Sequence, residues 1–176
     1  KANILTCTRQ FAYSAQNHNT IDVVLSLNGI PVVALELKNQ LTGQSVANAQ
    51  HQYMYDRDEK EFCFRFNNRF LVYFAVDLYE VAMTTQLQGE KTFFLPFNQG
   101  SNGAGNVGDG GNPKCENGYI TSYLWEYVLS KDMLLSILQR YISKQVTETI
   151  SLEKGKKVTR KQTRLIFPRY HQLDVV

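Results

Sequence analysis

The dipeptide Asn28-Gly29 constrains this chain more than any other feature. Thr20-Ile21-Asp22-Val23-Val24-Leu25-Ser26-Leu27 precedes it, and Ile30-Pro31-Val32-Val33-Ala34-Leu35-Glu36-Leu37-Lys38 follows. Two apolar, β-branched runs around residues that tolerate positive φ specify a β-hairpin. Three charges interrupt these core-like strands: Asp22, Glu36 and Lys38. A lone buried charge is costly, so their placement needs a reason. Strand alternation puts Glu36 and Lys38 on one side. A strict two-residue turn would set Asp22 opposite Leu35 and send the two carboxylates to opposite faces. A three-residue loop over residues 28–30, with Gly in the left-handed region, sets Asp22 opposite Glu36. The hairpin is therefore expected to be bulged or three-residue looped. It gathers two carboxylates and one ammonium on one face. Paired carboxylates suit Mg²⁺ (or Mn²⁺), which takes oxygen ligands and keeps several waters. A lysine beside them can orient or deprotonate an attacking water, or stabilise the charge that develops on a phosphorus centre. The plain alternative is a hairpin with a surface ion pair.

Asp22, thirteen further residues, then Glu36-Leu37-Lys38 resembles the PD-(D/E)xK nuclease core. The longer string from Asp22 to Asn39 is similar to the N-terminal nuclease region of the restriction (motor) subunit of type I restriction-modification systems. One departure is visible: Thr20-Ile21 stands where the family often has Arg-Pro. The resemblance implies an α/β fold, a mixed central β-sheet flanked by helices with a PD-(D/E)xK restriction-endonuclease-like core. It implies Asp22 and Glu36 as metal ligands, with the carbonyl of Leu37 as a further one, and Lys38 as the catalytic lysine. The family carries a Gln-x-x-x-Tyr element on the next helix. Here Gln50 and Gln52 each precede a tyrosine by three, and Ala47-x-x-Gln50 fits the family pattern better, so Gln50 is assigned the supporting catalytic role.

That helix is expected over about residues 45–56, with Ser45 as its N-cap. Ahead of the hairpin, the alternation in residues 8–14 predicts a neighbouring strand. His18 falls in the polar turn between them, which makes it a solvated side chain or a phosphate contact. Residues 70–76 and 80–85 read as buried strands, and Phe62-Cys63-Phe64-Arg65-Phe66 reads ambiguously as a short helix. The Gly- and Asn-rich stretch 99–113 has neither a Gly-Lys-Ser/Thr signature nor a helix directly after it, so it reads as a surface loop and not a phosphate cradle. Residues 119–142 show helical spacing, with Asp132 as a second cap and Trp125 as a core anchor.

Composition enters where partners are concerned. A chain of 176 residues that is 43% hydrophobic and 20% charged can bury one ordinary core. No apolar run reaches about 18 residues, so no membrane partner is expected. Three widely separated cysteines point to a reduced, cytoplasmic setting. A net charge of +3 does not by itself select nucleic acid. The basic run Lys154, Lys156, Lys157, Arg160, Lys161, Arg164 reads as a linker or solvated strand, or as a phosphate-contacting strip in which Lys154, Lys156, Lys157 and Arg160 bind DNA.

The last residues, Ile166-Phe167-Pro168-Arg169-Tyr170-His171-Gln172, carry a second resemblance, to the opening of a superfamily 2 translocase. There an aromatic residue and a glutamine recognise adenine, which implies Gln172 as the adenine reader of ATP in the full-length motor. The expected organisation is a nuclease domain over residues 1–163 and the start of the motor over residues 164–176. The implied activity is Mg²⁺-dependent cleavage of double-stranded DNA, coupled to ATP-driven translocation and working with modification and specificity subunits. A stand-alone nuclease of the same fold and a non-catalytic DNA-binding or docking module are the competing readings.

Overall fold

The structure is a computed structural model and describes residues 2–116, 118–153 and 156–174. Its centre is a six-stranded mixed sheet in the order β1 (Leu5–Ala12), β2 (Thr20–Leu27), β3 (Ile30–Leu37), β4 (Val72–Val76), β5 (Val81–Thr84) and β6 (Leu95–Pro96). Only β3 and β4 run parallel; every other neighbouring pair is antiparallel. The parallel step needs a crossover, and residues 40–71 supply it. They contain helix α1 (Val46–His51), which widens into a π-helical turn over Gln52–Asp56.

The hairpin takes the bulged form and not the three-residue loop. Leu27 pairs with Ile30, so the turn is a two-residue one, with Asn28 at φ 52° and Gly29 at φ 83°. Both angles are those of a type I′ turn, whose twist matches the strands. The extra residue lies further along β3. Ser26 pairs with Pro31 and Leu25 with Val33, leaving Val32 as a β-bulge. Val32 and Val33 are therefore both buried in the same core cluster, at 7% and 1% exposure. From there the register runs Val24↔Ala34 and Val23↔Leu35, and its continuation sets Asp22 opposite Glu36. The bulge does what the longer loop was expected to do. Pro31, which has no N–H to give a ladder, stands beside it.

Both sheet faces are covered. On one, Ala34, Tyr73 and Ala75 pack with Ala49 and Tyr53 of the α1 segment and with Phe64 and Phe70. On the other, Leu35, Phe74 and Val76 pack with Leu124 and Val128 of a π-helical turn, and with Leu134 and Ile137. Leu134 belongs to α2 (Lys131–Ser136), which has Ser130 at the N-cap position without a side-chain capping bond and carries Asp132 in its first turn instead of at the cap. Trp125 is 44% exposed and stacks edge-on with Tyr119, so it is not the expected core anchor. Residues 62–66 form turns, not a helix. The Gly/Asn-rich stretch closes on itself through Gly100 N–H to the Gly111 carbonyl and Ser101 N–H to that of Asp109.

From Lys156 on, the basic run is a solvated strand and not a linker, with Arg160, Lys161 and Arg164 exposed. It is β8 (Lys156–Ile166), paired over eleven positions with β7 (Ser143–Glu153) in a separate two-stranded ribbon. A division at residue 164 would cut β8. Leu165, Phe167, Tyr170 and Leu173 are buried, and the last three join the cluster that holds Phe74 and Phe97. Residues 164–174, read from the sequence as the start of a motor, thus complete the core of the sheet. They end in the short helix α3 (Tyr170–Asp174).

Candidate functional site

Beyond Val23↔Leu35 the strands β2 and β3 part, and the site occupies the gap. A backbone carbonyl on β2 would ordinarily receive the Leu37 N–H. Here Oδ2 of Asp22 accepts it at 2.8 Å. Oδ1 of the same carboxylate accepts from Gln10 Nε2 at 3.2 Å, and Gln10 Oε1 accepts from Thr20 Oγ1 at 2.7 Å. Gln10 has a left-handed φ of 50° and drops out of the β1–β2 ladder together with Asp22. Such strain in a non-glycine residue persists where the surroundings hold it.

Glu36 is fully buried on the face of the sheet that α1 covers. Arg57, just after the π-helical turn, donates to its Oε1 through Nε at 3.0 Å and Nη2 at 2.6 Å. Both bonds fall on one oxygen. Oε2 is buried without a hydrogen-bond partner. Burial pushes the Glu36 carboxyl from 4.5 up to about 7, the Arg57 charge pulls against it, and the neighbouring Asp22 charge adds to the rise. Arg57 is itself 4% exposed, and its Nη2 also donates to the Thr20 carbonyl at 2.8 Å. Burial disfavours its charge, but the charge and hydrogen bonds of Glu36 reverse that and hold it protonated. Its guanidinium lies 5.4 Å from the centre of the Tyr13 ring.

Lys38 follows two residues after Glu36 and faces the same helical segment. Its Nζ donates to Gln52 Oε1 at 2.5 Å. The glutamine that meets the lysine is therefore Gln52, at the start of the π-helical turn, and not Gln50. Gln50 makes no hydrogen bond to Asp22, Glu36 or Lys38. The widened turn carries Gln52 and Arg57 onto one side, where Gln52, Tyr55, Asp56 and Arg57 line an open cleft of about 640 Å³ with His18 and Thr20. His18 thus borders a cleft that meets the site through Gln52 and Arg57, while Asp22, Glu36 and Lys38 do not line it.

The remaining sequence candidates lie elsewhere. Gln172 is in α3, where its Oε1 accepts the Arg169 N–H at 2.9 Å and it borders a second pocket of about 650 Å³ at the base of the ribbon. Arg160 pairs in register with Thr149, Lys156 with Glu153 and Lys157 with Leu152. Lys154 lies outside the described residues. Sequence reasoning missed Arg57 and Gln10. Neither belongs to a spacing motif; Arg57 follows an unpredictable π-helical turn. The one available signal was a fully apolar strand context for Glu36, which demands a cationic partner somewhere.

The oxygens present are hard donors, and the vacant lone pairs of Glu36 Oε2 beside Asp22 fit a small divalent cation such as Mg²⁺. Among the described residues no group of three or more His, Cys, Asp or Glu side chains is placed to hold a metal. A cation here would be completed by backbone carbonyl and water.

Fold and site together define a mixed α/β protein with two carboxylates and a lysine gathered where a hairpin splays beside a helix. Comparison with known families goes one step further: the type I restriction enzyme R protein N terminus matches residues 1–92, just over half of the chain, and the chain belongs to that family. No curated protein and no solved structure matches it. No helix among the described residues is long and apolar enough to cross a membrane.

Proposed function

We propose that this chain is the DNA-cleaving part of a type I restriction enzyme R subunit, with a PD-(D/E)xK-type site that hydrolyses a phosphodiester of double-stranded DNA. The observation that carries the reading is Glu36: a fully buried carboxylate with one orphaned oxygen, in reach of the Asp22 charge and two residues before Lys38. Buried polar atoms are rarely left unpaired, so this oxygen calls for a proton shared with Asp22 or for a bound cation.

Asp22, Glu36 and the Leu37 carbonyl would hold Mg²⁺ or Mn²⁺, which when bound supplies charge stabilisation and an acidified water. The chain's own residues do the rest. Asp22 accepts the Leu37 N–H and so fixes the Glu36–Leu37 peptide, between the two residues that would supply the other ligands. Arg57 keeps Glu36 oriented through Oε1 and leaves Oε2 for a ligand. Lys38, steadied by Gln52, presents an ammonium to the attacking water or to the charge developing on phosphate. In the intact subunit, cutting follows ATP-driven translocation, with modification and specificity subunits as partners and Gln172 as the adenine-reading residue. A cytoplasmic location accords with DNA as the substrate.

The test is plasmid cleavage by the subunit with Mg²⁺, compared with Asp22→Asn and Lys38→Ala. Wild-type cutting that both substitutions abolish supports the reading. Cutting that survives both overturns it, and a subunit that binds DNA without ever cutting favours the docking module.

A further inference from the structure

Charge is unevenly shared along this chain. Seven of its 19 Lys and Arg but only two of its 16 Asp and Glu lie in residues 143–166, giving +5 there and leaving −2 for everything else. Residues 143–153 and 156–166 of that stretch are the β7–β8 ribbon. A mild net charge therefore conceals a basic arm on a slightly acidic body. The arm is also bare: residues 143–150 are exposed, as are Arg160, Gln162 and Arg164.

Its two faces differ. Register and alternation put Lys144, Val146, Glu148 and Ile150 on one face with Lys161 and Thr163 across from them. That face mixes two exposed aliphatics with the Lys161–Glu148 ion pair at 2.7 Å. The opposite face carries Gln145 across from Arg164, Thr147 across from Gln162 and Thr149 across from Arg160. It holds no apolar side chain and no carboxylate over these positions. Arg164 Nη2 donates to Gln162 Oε1 at 3.3 Å, consistent with a shared face.

We propose that this Gln/Thr/Arg face of the β7–β8 ribbon is a binding surface for double-stranded DNA and lies in the major groove. Three features converge. A two-stranded antiparallel ribbon is one of the few elements that the major groove admits. The positions of this face, Gln145–Thr149 against Arg160–Arg164, span about 17 Å, about half a turn of the duplex. Arginine, glutamine and threonine are the side chains that pair with base edges and phosphates, and the charge opposes that of DNA. The ribbon is rooted in the body by Leu165, whose carbonyl accepts from Thr85 Oγ1 at 2.8 Å, so a duplex on it is held at a fixed position relative to the sheet. This deepens the proposed function by naming where the substrate is gripped away from the cleft, and it rests on DNA being the partner.

Fluorescence anisotropy with a 25-base-pair duplex, in EDTA and at several salt concentrations, reads binding without chemistry. The wild-type chain binds, and its affinity falls linearly on a log–log salt plot with a slope of about −0.9 per phosphate neutralised. Arg160→Ala/Arg164→Ala lowers affinity roughly tenfold or more, while Lys144→Ala/Lys161→Ala, an equal loss of charge on the other face, lowers it less than threefold. Matching thermal melts establish that both variants fold. Equal losses in the two variants, no loss in the arginine variant, or no binding by wild type at 50 mM salt each overturns the proposal. Cleavage in Mg²⁺ is scored separately: a chain that binds through the ribbon and never cuts removes only the nuclease reading, and one that cuts with the arginine variant unimpaired removes only the ribbon.

Discussion

Replacing Glu36 with glutamine should make the protein more stable at neutral pH. The buried carboxyl titrates at about 7 in the folded chain, against 4.5 as its ordinary value. Between those two values the folded state holds a proton that the unfolded chain has released, so stability falls as pH rises through that window and levels off above it. The rise from 4.5 to about 7 corresponds to on the order of 3 kcal/mol. Glu36→Gln keeps the shape of the protonated acid, and its carbonyl oxygen still accepts from Arg57. Wild type and variant should therefore be about equally stable at pH 4, and the variant ahead by about 3 kcal/mol at pH 8. Urea unfolding at intervals from pH 4 to pH 8, in EDTA, measures the difference. The comparison cancels every other carboxylate in the chain. A difference that is flat with pH, or a variant weaker than wild type at pH 8, would show that Glu36 is ionised well below neutrality and that the Arg57 pair outweighs burial.

Mg²⁺ or Mn²⁺ at ten times its dissociation constant should stabilise the chain by about 1.4 kcal/mol, read as a rise in melting temperature. Asp22→Ala and Glu36→Ala should each remove the rise, and an equal rise in Asp22→Ala would eliminate the metal site. In the full subunit, Lys38→Ala should stop DNA cutting and spare ATP hydrolysis. Gln52→Ala should slow cutting more than Gln50→Ala, a ranking that plasmid assays would reverse if Gln50 were the supporting residue. Phe167→Ala should cost about 3–5 kcal/mol in the unfolding of the whole domain, because its ring packs edge-on against Phe74 at 5.9 Å. A cost under about 1 kcal/mol would mean that the tail is not part of this core.

The strands around Asn28-Gly29 and residues 70–85 were legible because turn chemistry and apolar runs are local signals. The position of the bulge was not, since Val32 and Val33 are interchangeable in any pattern count and only packing decides which of them is spare. What residues 164–174 pack against was not legible either. Resemblance to a motor's opening spoke for a later domain, whereas Phe167, Tyr170 and Leu173 are drawn back by the apolar face that β4 leaves open. At the candidate site, strand parity put Asp22, Glu36 and Lys38 on one face, and the resemblance supplied the roles proposed for them. Arg57 and Gln52 could not be placed there, because a π-helical turn displaces every later side chain by about one position from the helical expectation.

The bulge at Val32 also acts as an expansion joint between the two carboxylates. Thirteen residues separate Asp22 from Glu36, and one of them is slack that the ladder does not use. A chain that lost one residue between the turn and Glu36 could flatten the bulge, pair regularly from the same Asn-Gly turn, and still bring an aspartate opposite a glutamate. A chain that gained one would have to store it as a second irregularity or misalign the pair. Length change in this hairpin is therefore tolerated in one direction only, and a search for such sites by fixed spacing will overlook the shorter form.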